Sequence, residues 1–336
     1  MRRCAAFSGR SAGVPRAADA AFTKITNRNG TVAMSDKKIS ISIGILQEIY
    51  GDRQALEIAA RIGADAVDFA THSFTTRKWD YREPGSIYAQ GDEAVAEHFA
   101  GLRRYAESLG LVIGQTHGRG EGFLGVRETD DAMVENARLD LLAASALGAK
   151  TCVIHNPTSI HHGPNPDPQK MRDLSFDQFT RMLPYAEQYG VNLATETFGD
   201  AVQYDSIDFF GDLTEFRNVN ERIRQASPYC DRFTVCMDTG HTNKASRFGQ
   251  PKPADAIRIL GKDITVLHLN DNDTLTDQHK IPKTGCIDWD DTMAALEEIG
   301  YNGIYNMELN LRHFGNGFEI ETAAFAIKVM RYLLNG

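Results

Sequence analysis

At 336 residues, 42% hydrophobic and 24% charged, the chain is long enough to bury one large core or two modest ones without help from crosslinks. A net charge of −9, with no basic tract after the N-terminal segment, argues against a surface built to neutralise nucleic-acid phosphates, and no apolar stretch approaches the roughly 20 residues that span a bilayer. The five cysteines, Cys4, Cys152, Cys230, Cys236 and Cys286, form no CxxC pair, which argues against a disulfide framework or a thiolate zinc site and fits a reducing, cytoplasmic setting.

The first 33 residues set Arg2, Arg3, Arg10, Arg16, Lys24 and Arg28 against the single acid Asp19. Such a start fits an organelle transit peptide or a gene-start artefact, and it lacks the apolar run of a secretory signal. Met34-Ser-Asp-Lys-Lys, just before the first apolar run, reads as a natural beginning. Residues 1–37 are therefore taken as an extension outside the fold, and 38–336 as one domain.

From Lys38 onward, short β-branched runs alternate with stretches of helical periodicity, the pattern of repeated βα units on a parallel sheet. Eight strands are expected, at Ile39–Leu46, Ala66–Thr71, Leu111–His117, Thr151–Asn156, Asn192–Phe198, Phe233–Thr239, Ile264–Asn270 and Gly303–Leu309. Helices are expected between them, one over Ala55 to Ile62 with Gly63 as its stop, and a last one near Ile320–Leu334. Leu109-Gly110, Leu147-Gly148, Tyr189-Gly190 and Ile299-Gly300 mark short turns into the next strand. The run Gly44-Ile45-Leu46-Gln47-Glu48 holds no GxGxxG, so an open dinucleotide-binding sheet is disfavoured. The expected fold class is α/β, a single (β/α)8 TIM barrel, whose active site belongs at the C-terminal ends of the strands.

Those ends are polar: His72, His117, His155, Glu196, Asp238, His241, His268 and Glu308. A buried barrel strand should read Val, Ile and Leu, because an unpaired charge in a core costs several kcal/mol. Carboxylates recurring at successive strand ends therefore call for a cation. Glu196, Asp238, His268 and Glu308 form a mixed oxygen and nitrogen set, which suits one divalent ion, Mn2+ first, with Mg2+, Co2+ or Zn2+ behind it.

The segments Ala194-Thr195-Glu196-Thr197, Cys236-Met237-Asp238-Thr239-Gly240-His241, Val266-Leu267-His268-Leu269-Asn270-Asp271 and Asn306-Met307-Glu308-Leu309 resemble the strand 5 to 8 signatures of the sugar phosphate isomerase/epimerase family, within the xylose-isomerase-like TIM-barrel superfamily. The resemblance implies that Glu196, Asp238, His268 and Glu308 ligate one metal and that Glu196 and Glu308 act as acid and base. It implies proton abstraction beside a carbonyl through a metal-stabilised enediolate, on a carbohydrate substrate, in a homo-oligomer. His117, His155, His241, Asp277, His279 and Arg312 are expected to contact that substrate. One departure stands out: Pro282-Lys283-Thr284-Gly285 replaces the family's Pro-Gly-x-Gly, and Lys283 is expected to offer a charge to a phosphate or carboxylate.

The chain also resembles the apurinic endonucleases of the same superfamily, whose trinuclear zinc site uses strand-end histidines and an Asp-x-His pair; here these are His117, His155, His241 and Asp277-Gln278-His279. The acidic balance weighs against that phosphodiesterase reading. A cyclitol or keto-acid dehydratase on the same barrel is a further alternative. Ser73–Arg82 is expected to form a long loop after strand 2. Phe74, Trp79 and Phe123 are candidates for an apolar wall, and His161-His162 for a solvated turn.

Overall fold

The computed structural model describes residues 37–74, 80–119 and 122–335. Residues 1–36 of the N-terminal extension and residues 75–79 of the loop after the second strand, Trp79 among them, lie outside the described residues, as does the side chain of Phe74.

Eight parallel strands form the barrel: β1 (Ile39–Ser42), β2 (Ala66–Ala70), β3 (Val112–His117), β4 (Thr151–Ile154), β5 (Asn192–Glu196), β6 (Phe233–Asp238), β7 (Ile264–His268) and β8 (Tyr305–Met307). Each pairs with its sequence neighbour, and β1 closes onto β8 in register from Ile39 with Tyr305 to Ile41 with Met307. The last seam, between β7 and β8, is a single bridge from Leu269 to Met307, so the ring is nearly closed. A two-residue ribbon, Asp200–Ala201 against Ser206–Ile207, decorates the loop after β5.

Around this ring run α1 (Gly44–Tyr50), α2 (Asp52–Arg61), α3 (Asp92–Ser108), α4 (Arg127–Leu147), α5 (Ser159–His162), α6 (Pro168–Tyr189), α7 (Leu213–Ala226), α8 (Thr239–Ser246), α9 (Pro253–Leu260), α10 (Trp289–Glu298) and α11 (Glu319–Asn335). Local chemistry sets their ends. Asp167 caps α6 by accepting from Lys170 N at 3.0 Å, and Pro168 fills the first turn where no amide donor is needed. Gly148 and Gly190 end α4 and α6 at φ +76° and +66°, a left-handed geometry that glycine adopts without strain.

The first strand is shorter than expected. It stops at Ser42, and Gly44 to Tyr50 turn into helix α1. The reason lies in Gln47, whose amide accepts from Ala70 N at 3.0 Å and donates to Ala70 O at 3.3 Å and Asp52 Oδ1 at 2.9 Å. That side chain satisfies the loose backbone at the end of β2, which an extended chain could not reach. His161 and His162 likewise lie on the one-turn helix α5 rather than in an open turn.

Most of the core lies between strands and helices, but a small separate cluster fills the barrel itself: Val153, Ala194, Cys236 and Val266. Each sits two residues before His155, Glu196, Asp238 or His268. Period-2 geometry therefore points those four polar residues inward above it.

Candidate metal and active site

Glu196, Asp238 and His268 are the last residues of β5, β6 and β7, and Glu308 follows the end of β8. The first three are fully buried. One donor atom from each of the four lies within 4.8 Å of the others. His268 Nδ1 stands 3.2 Å from both Glu196 Oε2 and Glu308 Oε2. The side-chain polar atoms of Glu196 and His268 are shielded from solvent, so carboxylate oxygens and one imidazole nitrogen, His268 Nδ1, face one small volume. Left that way, the buried charges would cost several kcal/mol, and a divalent cation is the natural compensation. The residues present thus fit such an ion.

The spacing of the two motifs has a structural cause. Asp238 ends β6 and caps α8, accepting from His241 N at 2.6 Å with one oxygen and from Asn270 Nδ2 at 2.8 Å with the other. Thr239 Oγ1 donates to Asn270 O at 2.7 Å and receives Asn270 N at 3.0 Å, while Asn272 Nδ2 donates to Gly240 O at 2.8 Å. A Cβ on Gly240 would lie 1.9 Å from Asn270 Oδ1, so only glycine fits there. Asp-Thr-Gly-His after β6 and His-Leu-Asn-Asp after β7 are two halves of one joint.

Around this centre stands a ring of histidines. His155 Nε2 and His241 Nδ1 each come to 3.0 Å from a Glu196 oxygen, and His117 Nδ1 to 3.3 Å from Glu308 Oε1. The His117 and His155 Nε2 atoms face each other at 3.2 Å. On the far side, Asp277 Oδ2 lies 3.5 Å from His241 Nε2 and 3.2 Å from His279 Nε2. Lys244, nearly fully buried, pairs with Asp200 at 2.7 Å and stands 3.6 Å from Asp277.

Electrostatics divides the carboxylates. Burial opposes ionisation of Glu196, but the positive charge of His268 and His155 outweighs it and holds the group well below its usual range. Glu308 is held low in the same manner, against burial, by His268 and His117. Asp238 goes the other way, raised chiefly by burial, which His241 only partly offsets. Burial works against the His279 imidazolium, yet its hydrogen bond to Asp277 and the nearby Glu308 charge raise it to about 9.

A cavity of about 800 Å3 opens beside this centre, lined among others by Ser42, Glu48, Asp68, His72, His117, His155, His279 and Glu308. Arg312 stands at its edge, 3.3 Å from Glu48. Phe123 is buried behind the loop, its amide bonded to Gln178 at 2.8 Å, and is not among the lining residues. Lys283 points away to Asp290 on α10 at 3.4 Å. Sequence reasoning missed Asp68, a carboxylate in the middle of β2 that is 1% exposed. The signal was present, since a charge inside the run Ala-Val-Asp-Phe-Ala breaks the rule that singled out the other strands. It went unread because Asp68 is not at a strand end.

The chain matches the family described as xylose isomerase-like TIM barrel over residues 56–333. The inosose isomerase of Bacillus subtilis (strain 168) is 28% identical over 148 residues, 42% of this chain and 48% of that protein, so the match spans about half the length of this curated relative. Among solved structures, the IOLI protein with a bound zinc atom superposes with a TM-score of 0.62 at 18% identity, covering 88% of this chain and 96% of that one. The D-psicose 3-epimerase with D-tagatose from Clostridium cellulolyticum H10 superposes with a TM-score of 0.64 at 17% identity, covering 89% of this chain and 100% of that one. At such identities these two likenesses speak for the fold.

Proposed function

The chain belongs to the xylose isomerase-like TIM barrel family, and from that premise we propose that it is a divalent-metal-dependent isomerase or epimerase of a sugar or related polyol-ketone. The observation that carries the reading is the four-residue cage at the floor of a cavity, with one of its carboxylates, Glu308, facing that cavity. The sugar epimerase fold and the inosose isomerase likeness point to the same substrate class.

Glu196, Asp238, His268 and Glu308 would hold the ion, which supplies Lewis-acid stabilisation of negative charge on a carbonyl oxygen. Glu308 is held ionised and takes the proton from the hydroxyl-bearing carbon beside that carbonyl. Returning it to the former carbonyl carbon while the hydroxyl proton passes to the carbonyl oxygen completes an isomerisation, and reprotonation of the same carbon from the opposite face by a second acid completes an epimerisation. Glu196 is fully buried between His155 and His241, which supports Glu308 as the principal base. His117, His155 and His279 line the cavity with ring nitrogens that hydrogen-bond substrate hydroxyls. The test is deuterium uptake from D2O into a panel of ketoses and inososes by metal-loaded protein. Uptake that stops on chelation is expected; no uptake with any member overturns the reading.

A second reading has its own support. His117, His155 and Glu196, and separately His241, Asp277 and His279, each bring donor atoms within 4.8 Å of one another. Adjacent cations clamp phosphoryl oxygens well, so this arrangement also suits an endonuclease IV-like phosphodiesterase. The acids Glu48 and Asp68 in the cavity wall weigh against a polyanion. Cleavage of abasic DNA, or water loss from a cyclitol ketone, would replace the isomerase reading.

A further inference from the structure

Asp68 is a buried carboxylate that takes no part in the proposed proton transfer. Asp68 lies in mid-strand, where β2 and β3 slip register: Val67 pairs with Ile113 and Asp68 with Gln115, leaving Gly114 as the extra residue. A Cβ on Gly114 would stand 3.0 Å from Ile304 Cδ1, so a larger residue there would have to displace the end of that side chain. Bulges re-aim the side chains beside them.

What Asp68 is aimed at is specific. Its Oδ2 accepts from Ser42 Oγ at 2.7 Å on β1 and from Asn306 Nδ2 at 3.4 Å on β8, and it stands 3.5 Å from His268 Nε2. Its Oδ1 is buried without a hydrogen-bond partner. The carboxylate is thus pinned from two neighbouring strands with its charge directed at one edge of the His268 ring. The opposite edge, Nδ1, faces Glu196 and Glu308 at 3.2 Å.

We propose that Asp68 is a positioning residue of the cation site: it holds the Nε2–H edge of His268 so that the Nδ1 lone pair points into the four-residue cage. An imidazole whose outer N–H is held by a carboxylate is fixed in both tautomer and rotation, and such outer partners strengthen the ligand. The inference rests on the reading of Glu196, Asp238, His268 and Glu308 as a metal site. It assigns strands β1, β2 and β8 a share in that site through Ser42, Asp68 and Asn306.

The test compares the full chain with Asp68→Asn and Ser42→Ala, reading zinc affinity by chelator competition, exchange of the His268 Nε2–H by NMR in the zinc-loaded protein, and melting of the chelated protein. For Asp68→Asn we expect zinc to bind about 10- to 100-fold more weakly at unchanged stoichiometry, with faster Nε2–H exchange. The chelated variant should melt at or above the wild-type temperature, because an incompletely partnered buried charge has gone. Ser42→Ala should shift affinity and exchange less, in the same direction. Unchanged affinity and exchange with a lower melting temperature would make Asp68 merely structural. Loss of a whole zinc equivalent would make it a ligand. Either outcome overturns the proposal. If the wild type takes up no zinc, the metal-site reading fails first and this inference falls with it.

Discussion

Glu196 and Glu308 bear the same charge toward the same centre, and what separates them is access. Glu308 lines the cavity, whereas Glu196 is sealed behind imidazoles. Replacing Glu308 with Gln keeps the shape and removes the base, so solvent-proton exchange should fall by at least about 100-fold with the fold intact. Full exchange in that variant, measured by deuterium incorporation, contradicts the mechanism. A second acid tests the scaffold. Asp140 is buried between the β2 and β3 ends, accepting from Thr71 Oγ1 at 2.5 Å, Arg119 N at 3.2 Å and Tyr81 OH at 3.3 Å, and burial, only partly offset by those bonds, raises it to about 7. The folded chain keeps this proton where the unfolded chain has lost it. Relative to Asp140→Asn, the wild type should therefore lose stability as pH rises from about 4 to about 7, by a few kcal/mol at most, and stay level above that. Melting both proteins across that range checks the sign; parallel curves would refute it. At this scale the sequence was legible where charge fell on a strand end. Asp68 and Asp140 escaped because a mid-strand or mid-helix acid reads like any other until its neighbours are known.

At the scale of elements, the strands were legible because β-branched runs, most of them entered from a Gly turn, repeat eight times. Their ends were less so. Nothing in the apolar run Ile39 to Leu46 marks Ser42 as the last strand residue; the switch depends on Gln47 reaching the backbone of Ala70. The joint between β6 and β7 predicts that Gly240→Ala, by driving a Cβ into Asn270, weakens metal binding and lowers the melting temperature together. Normal metal affinity in that variant would disconnect the joint from the site. The loop after β7 differs from its expected glycine pattern, and the backbone shows the consequence: Lys283 sits at φ +71°, where glycine is at ease and lysine is strained. Lys283→Gly should therefore stabilise the protein by about 0.5–1 kcal/mol, the relief of strain exceeding the extra chain entropy. Because Nζ reaches Asp290 rather than the cavity, KM should not move. A raised KM would restore the substrate contact expected from sequence.

Over the whole molecule, the barrel does two things at once. Its apolar floor of Val153, Ala194, Cys236 and Val266 fixes the height and direction of the polar residues two positions on, and its rim gathers six acids and six histidines at and beside one cavity. Among the described residues, no helix is long and apolar enough to cross a membrane. The ring was readable from sequence as eight repeats; the way β1, β2 and β8 support a ligand on β7 was not, because cross-barrel contacts leave no periodic trace. The most direct test of the central claim is metal content per chain, by elemental mass spectrometry on protein purified without chelator or nickel affinity. The account predicts about one divalent ion per chain, lost in Asp238→Ala. No metal, even after ions are added back, would contradict it, and about three zinc ions per chain would replace the isomerase with a hydrolase.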